Sequence, residues 1–342
     1  MKNYIDYVNV SPSGAIVLSD ELTCDGFVHT AAFRVQTHVH DDHMTGFTNS
    51  KGYQTLLMSS ATKKLLEFEF NADIAYRENI KDITLGEKFQ LNSGTVTLRE
   101  SGHMLGAVQV EHELPNGVRV GYSGDFSWPM KDPMQVDILV VDSTYGSPNK
   151  VREYSQACAE NALIELIREL RKKGPIHIKA HRGTISRALQ LISAETDLPI
   201  LGSKTRCNEA KIYANLGYSI SPLIDANSSE GKSAAKDCHI QVYSKGDQMP
   251  VDYVGSSIIL SAFLARPDDP VTEYSKSSWA VALTNHADFE GTLSYIKATG
   301  AQQILVDNHR GGHAEELAEQ IRLRLSLVAM ASSSESSNEW GV

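Results

Sequence analysis

Through about residue 145 the apolar positions mostly alternate with polar ones. GAIVLSD, AAFRVQTHV, KFQLNSGTVTLRE and AVQVEHELPNGVRVGYSGD carry this period of two, which sends alternate side chains to opposite faces of a strand. Pro115, Asn116 and Gly117 separate two such runs and predict a hairpin. VDILVVDSTYG is continuously apolar before its polar end, the pattern of a strand covered on both faces. Between these, SSATKKLLEFEF predicts a helix opened near Ser60 or Thr62.

From Arg152 the period lengthens. REYSQACAENALIELIRELRKKG sets Leu163, Ile164, Ile167 and Leu170 on one helical face and stops at Gly174. PIHIKA, TISRALQLISAE, PILGS and CNEAKIYANLG then alternate strand and helix, which predicts a small α/β unit. SSIILSAFL and SWAVALT read as strands, DFEGTLSYIKATG as a helix, QQILVDN as a strand and residues 314–325 as a last helix. The Ser-rich stretch 331–342 is predicted to be disordered. This order of elements predicts an α/β (α+β) fold.

With 342 residues the chain has room for one domain carrying a sizeable insertion, or for two domains. No apolar run approaches a membrane span, and the first ten residues lack the basic and apolar regions of a signal peptide, so a cytoplasmic, non-membrane protein is expected. Cys24, Cys158, Cys207 and Cys238 lie far apart without a C-x-x-C pair; reduced, mostly buried thiols are expected. A formal charge of −10 counts against a phosphate-binding surface, but the charge is segregated. Residues 150–211 hold twelve Lys and Arg against seven Asp and Glu, a local balance of +5. That segment is either a nucleic-acid contact or an ordinary solvated face.

THVHDDHMTGF, residues 37–47, crowds His38, His40, Asp41, Asp42 and His43 together. Ionisable groups this dense either stay solvated in a loop or bind a metal, because burying them unpaired is costly. His38 and His40, two apart at a strand end, point to the same side and can share one ion. A donor set of His and Asp without Cys suits Zn²⁺ or Mn²⁺.

The string His38-x-His40-x-Asp42-His43 resembles the signature of the metallo-β-lactamase superfamily. Supporting stretches follow in family order: Asp25 in LTCDGF, His103 in SGHMLGA, Asp125 in YSGDFS and a late histidine in ILVDNHRGGH. VVDSTYG, SGHMLGA and LTNHADFEG are similar to motifs of the metallo-β-CASP nuclease branch, including its small exonuclease-like and mRNA 3′-end processing factor-like members. GTISRALQLI is weakly similar to a segment of that branch's inserted domain and lacks its acidic residue.

The resemblance implies an αββα metallo-β-lactamase sandwich over 1–150 and 266–330, with a small α/β β-CASP insert over 151–265. It implies two Zn²⁺, or Mn²⁺, with His38, His40 and His103 on one ion, Asp42, His43 and His309 on the other, and Asp125 bridging. His309 is favoured over His313 because it directly follows the strand; His313 is then an exposed helix residue or a substrate contact. Asp25 and Asp142 would orient ligand histidines, and His286 would stabilise charge or protonate the departing oxygen. Lys179, Arg182 and Arg187 are the candidate substrate contacts. The implied activity is that of a two-metal-ion phosphodiesterase cleaving single-stranded DNA or RNA, more as an exonuclease than an endonuclease. A metal-bridging hydroxide attacks, leaving a 5′-phosphate and a 3′-hydroxyl. Homodimers or partner proteins are compatible with this. The alternatives are a small-molecule hydrolase acting on a lactone, thioester or cyclic phosphodiester, and a non-catalytic nucleic-acid-binding subunit.

Overall fold

The computed structural model describes residues 7–244, 246–261 and 266–332. The chain separates into two compact units, Met1–Val151 with His286–Val342, and Arg152–Asn285. Both mix α and β structure. Among the described residues no helix is long and apolar enough to cross a membrane.

In the first unit a six-stranded sheet follows chain order through Asn9–Val10, Ile16–Val17, Leu22–Cys24, Phe33–Val35, Thr55–Met58 and Ile80–Asp82. A seven-stranded sheet runs in the order Val328–Ala331, Gln303–Val306, Ile138–Val141, Arg119–Tyr122, Val108–Glu113, Gly94–Glu100 and Lys88–Leu91. Their inward positions share one core, in which Val10, Ile16, Leu22, Val35 and Leu57 join Val96, Leu98, Val110, Val120 and Val140. Each such side chain contributes about 1.5–3 kcal/mol when fully buried. Leu139 and Val141 point the other way and pack with Phe289, Leu293, Leu317 and Ile321 from the helices Phe289–Thr299 and Ala314–Leu325. That covering explains why 138–141 is apolar throughout.

Strand direction decides where the polar stretches emerge. Arg119–Tyr122, Ile138–Val141 and Gln303–Val306 are parallel. Gly94–Glu100 points the same way, because two antiparallel pairings separate it from Arg119–Tyr122. In the other sheet Leu22–Cys24 and Phe33–Val35 are also parallel. The residues that follow these strands therefore leave from carboxyl ends.

Three local expectations change. The cap of the helix Ser60–Phe70 is Ser59, whose side chain accepts from the Thr62 amide, in place of Ser60 or Thr62. Val328–Ala331 is a strand beside Gln303–Val306, so the Ser-rich stretch begins inside the sheet, where Ala329 and Ala331 are buried; the remainder, 333–342, lies outside the described residues. Of the cysteines only Cys24 is buried, and Cys158 is exposed; all four are free thiols.

The second unit is built on another seven-stranded sheet, in the order Ile224–Asp225, Ile200–Gly202, Ile240–Tyr243, Ile176–Ala180, Ser256–Leu260, Ser278–Val281 and Val271–Ser275. Its pairings are parallel except the last. Ser278–Val281 adds to Ser256–Leu260 and buries Trp279 and Val281, so this unit extends to Asn285, past the boundary expected near 265.

Candidate metal centre

The carboxyl ends of the first unit's strands converge on a cluster of histidines and aspartates. His38 and His40 follow Phe33–Val35, and a single 3-10 turn over Asp41–His43 swings His43 back into the interior. His103 follows Gly94–Glu100, and Asp125 follows Arg119–Tyr122.

His38 Nε2 lies 3.1 Å from His40 Nδ1, which lies 3.0 Å from His103 Nε2. Asp125 Oδ2 is 3.6 Å from His38 Nε2 and 3.4 Å from His103 Nε2. Four donors bound at about 2.1 Å to one tetrahedral ion stand roughly 3.4 Å apart. The observed spacings are those of such a ligand set. Burial, with His43 and His40 nearby, holds the His38 pKa well below its usual value; burial, against the pull of Asp125, does the same for His103. Both rings therefore stay neutral and keep a lone pair. Thr37 Oγ1 stands 2.5 Å from Asp25 Oδ2 and 3.0 Å from His38 Nδ1. Its one proton goes to the carboxylate, so it accepts from His38 Nδ1 and leaves His38 Nε2 aimed inward.

Asp125 also faces a second group. Its Oδ1 is 3.1 Å from His43 Nε2, and Asp42 Oδ2 is 3.6 Å from the same nitrogen. His43 Nδ1 donates to Asp25 Oδ2 at 2.7 Å, and Asp25 also accepts the Thr37 amide at 2.8 Å. This carboxylate fixes which ring nitrogen of His43 carries the proton. His43 Nε2 is buried without an aligned hydrogen-bond partner. Burial opposes a second proton on the ring, yet Asp125 and Asp25 push its pKa up to about 10. Asp125 is held well below the usual carboxylate range, against burial, by His43, His103 and His286. Lone pairs that converge on an anionic carboxylate fit divalent cations, which would satisfy them without protons.

No family model matches the chain. It is 31% identical over 112 residues, 32% of its length, to an uncharacterized protein from the lig 3′ region of Acidianus ambivalens, of which the match covers 79%. It is 35% identical over 77 residues, 20% of its length, to cleavage and polyadenylation specificity factor subunit 3 of Dictyostelium discoideum. It is 30% identical over 122 residues, 33% of its length, to DNA cross-link repair 1A protein of Mus musculus. The last two matches cover 10% and 11% of those longer proteins. The chain belongs to the metallo-β-CASP branch of the metallo-β-lactamase superfamily.

In this β-CASP chain His286 borders the first ligand group. Its ring centroid is 4.5 Å from that of His103, and its Nε2 is 3.8 Å from Asp125 Oδ2. Asp142 Oδ2 sits 3.4 Å from His286 Nδ1, so Asp142 faces this histidine rather than one from 38–43. Burial disfavours the imidazolium, but Asp125 and Asp142 raise the His286 pKa above its ordinary value. With 21% of its side chain exposed, His286 is reachable from solvent.

The late histidines of the β-CASP pattern are not gathered with these groups. His309 is exposed, with its ring against Gly14, where a Cβ would come within 2.1 Å of its Cδ2. His313 precedes the helix Ala314–Leu325 and lies 3.8 Å from Glu316. Lys179, Arg182 and Arg187 belong to the second unit: Lys179 is exposed, Arg182 faces Glu209 at 2.7 Å, and Arg187 holds Glu160 at 2.9 Å.

Motif matching passes over the support beneath the loop. Fully buried Arg34 donates to the carbonyls of His43 and Thr45, each at 2.9 Å, and to Gln36 Oε1 at 2.7 Å. Gln36 Nε2 in turn donates to the carbonyls of His38 at 2.6 Å and His43 at 3.1 Å. The signal was in FRVQTHV, where alternation puts Arg34 and Gln36 together on the face opposite Val35 just before the motif. Thr37, also buried, is a polar residue on the face of Val35.

Proposed function

We propose that the protein is a two-metal-ion phosphodiesterase that cleaves nucleic acid, acting on single-stranded DNA or RNA from an end and leaving a 5′-phosphate and a 3′-hydroxyl. The observation that carries this reading is Asp125, which faces His38 and His103 through one oxygen and His43 through the other, with His286 alongside. His38, His40 and His103 would hold one ion, and Asp42, His43 and His309 the other, with Asp125 shared; Zn²⁺ and Mn²⁺ suit these donors. Such ions supply a hydroxide nucleophile near neutral pH and neutralise phosphate charge. Asp25 and Thr37 orient the ligand imidazoles from behind. His286, its Nδ1 turned to Asp142, presents Nε2 toward the centre as the group that gives a proton to the leaving oxygen. The relatives support the substrate class, one being named for cleavage and polyadenylation and one for DNA cross-link repair. In this reading the first unit is the αββα sandwich and the second is the β-CASP insert.

The test is to incubate the purified protein with Zn²⁺, and separately with Mn²⁺, on end-labelled single- and double-stranded DNA and RNA of one sequence, beside Asp42→Ala. Metal-dependent cleavage that the variant lacks is expected, and the two labelled ends report sugar preference and direction. If the metal-loaded protein cuts none of them yet hydrolyses a lactone, thioester or cyclic phosphodiester, the proposal is wrong.

A further inference from the structure

The loop that carries His38, His40 and His43 is pinned at both ends by one amide. Gln36 Nε2 donates to the carbonyls of His38 at 2.6 Å and His43 at 3.1 Å. Arg34 Nη2 donates to Gln36 Oε1 at 2.7 Å and to the same His43 carbonyl at 2.9 Å, so both lone pairs of that oxygen are taken. Arg34 Nη1 reaches on to the Thr45 carbonyl at 2.9 Å and Ser50 Oγ at 3.0 Å, and the Phe47 ring centroid lies 5.6 Å from the guanidinium carbon.

By itself the loop has little to hold its shape. Asp41–His43 is a single 3-10 turn without a side-chain cap, and hydrogen bonds of that geometry are poorly aligned. Yet its imidazoles must meet His103 and Asp125, which follow other strands.

Arg34 is a costly residue in this place. It is fully buried, and the acceptors named above are uncharged oxygens. Burial lowers its pKa to about 10, with Asp25 opposing the shift. Taking an ion out of water costs several kcal/mol, so stability alone would favour an apolar side chain. What the guanidinium supplies is geometry: a planar fork meets two carbonyls and an amide oxygen at fixed angles that an ammonium group does not reproduce.

We propose that Arg34, acting with Gln36, is the positioning residue that presets the metal-bearing loop, fixing the backbone of His38 and His43 so that their rings converge with His103 and Asp125. The inference rests on the metal-centre part of the reading above and needs only one bound ion.

Metal-free wild type, Arg34→Met, Arg34→Lys, Gln36→Met and Glu209→Gln are titrated with Co²⁺, following heat and visible absorption, with thermal unfolding measured alongside. Arg34→Met and Gln36→Met should each weaken the tightest ion by about 10–100-fold, the usual effect of losing a residue that orients ligands, and shift the visible bands of bound Co²⁺, which report ligand geometry. Arg34→Lys should bind as weakly as Arg34→Met. Glu209→Gln, which loses a buried charge partner in the second unit, should keep wild-type affinity and bands. Unchanged affinity and bands in folded Arg34→Met or Gln36→Met overturn the proposal. So does full recovery by Arg34→Lys, or an equal loss in Glu209→Gln, which would make general destabilisation the cause. If neither Arg34 variant folds, Gln36→Met decides alone. Wild type that binds no Co²⁺ refutes instead the metal reading beneath it.

Discussion

Both units bury ionisable side chains, but in different company. In the second, Arg206 pairs with Glu209, Arg182 Nη2 stands 2.7 Å from Glu209 Oε1, and Arg206 Nε stands 3.4 Å from Asp247 Oδ2. Two cations meet two anions, so each charge has an opposite charge beside it. In the first, the neutral rings of His38 and His103 turn nitrogens toward Asp125, which faces His43 through its other oxygen. Nitrogen lone pairs aimed at a carboxylate favour a cation shared between them. The contrast separates a buried charge network that serves the fold from one that waits for a ligand.

The sharpest way to break this comparison is Asp125→Ala, which removes the carboxylate common to both donor groups. Binding of both ions and all nuclease activity should be lost, with unfolding of the second unit unchanged; calorimetric metal titration and strand cleavage check it. Next, His286→Ala should lower kcat by about 10²–10⁴-fold, the range for a lost general acid, while two ions still bind. A parallel loss of metal would recast His286 as a ligand.

On the other side of the comparison, Glu209→Gln strips an anion from buried Arg206 and half-buried Arg182. It should destabilise the protein by about 3–5 kcal/mol in denaturant unfolding, the usual cost of breaking a buried pair, and leave Co²⁺ affinity unchanged. The smallest effect concerns protons. His177 in the second unit donates or accepts at both ring nitrogens, with Tyr243 at 3.0 Å and the Val254 carbonyl at 3.1 Å, and burial lowers its pKa below 6.5. Below pH 6.5 the unfolded chain binds a proton that the folded ring refuses, so stability falls as pH drops from 6.5 toward the folded value. One such group changes stability by at most about 1.4 kcal/mol per pH unit, and His177→Gln should remove that slope from pH-dependent unfolding curves.

Much of this was legible in advance because it depends on local pattern. The apolar run 138–141, the helix 314–325 and the break at Pro115–Gly117 follow from period and turn chemistry alone. The crowding of His38, His40, Asp42 and His43 marked a candidate metal site for the same reason, since such residues are seldom placed together without a use. Val328–Ala331 escaped notice because four residues carry too little alternation beside a Ser-rich stretch, and its place was decided by a neighbouring strand and helix. The extension of the second unit to Asn285 likewise came from pairing with a distant strand.

The sequence by itself determined the element types, the crowded motif and the donor chemistry, because these are properties of short stretches. Only the tertiary structure decided that Asp25 serves His43, that Asp142 faces His286, that Arg34 and Gln36 hold the loop's carbonyls, and that Arg310 ties Gly14 to Asp25. These contacts join residues from separate strand ends, and which ends converge is set by sheet order and direction.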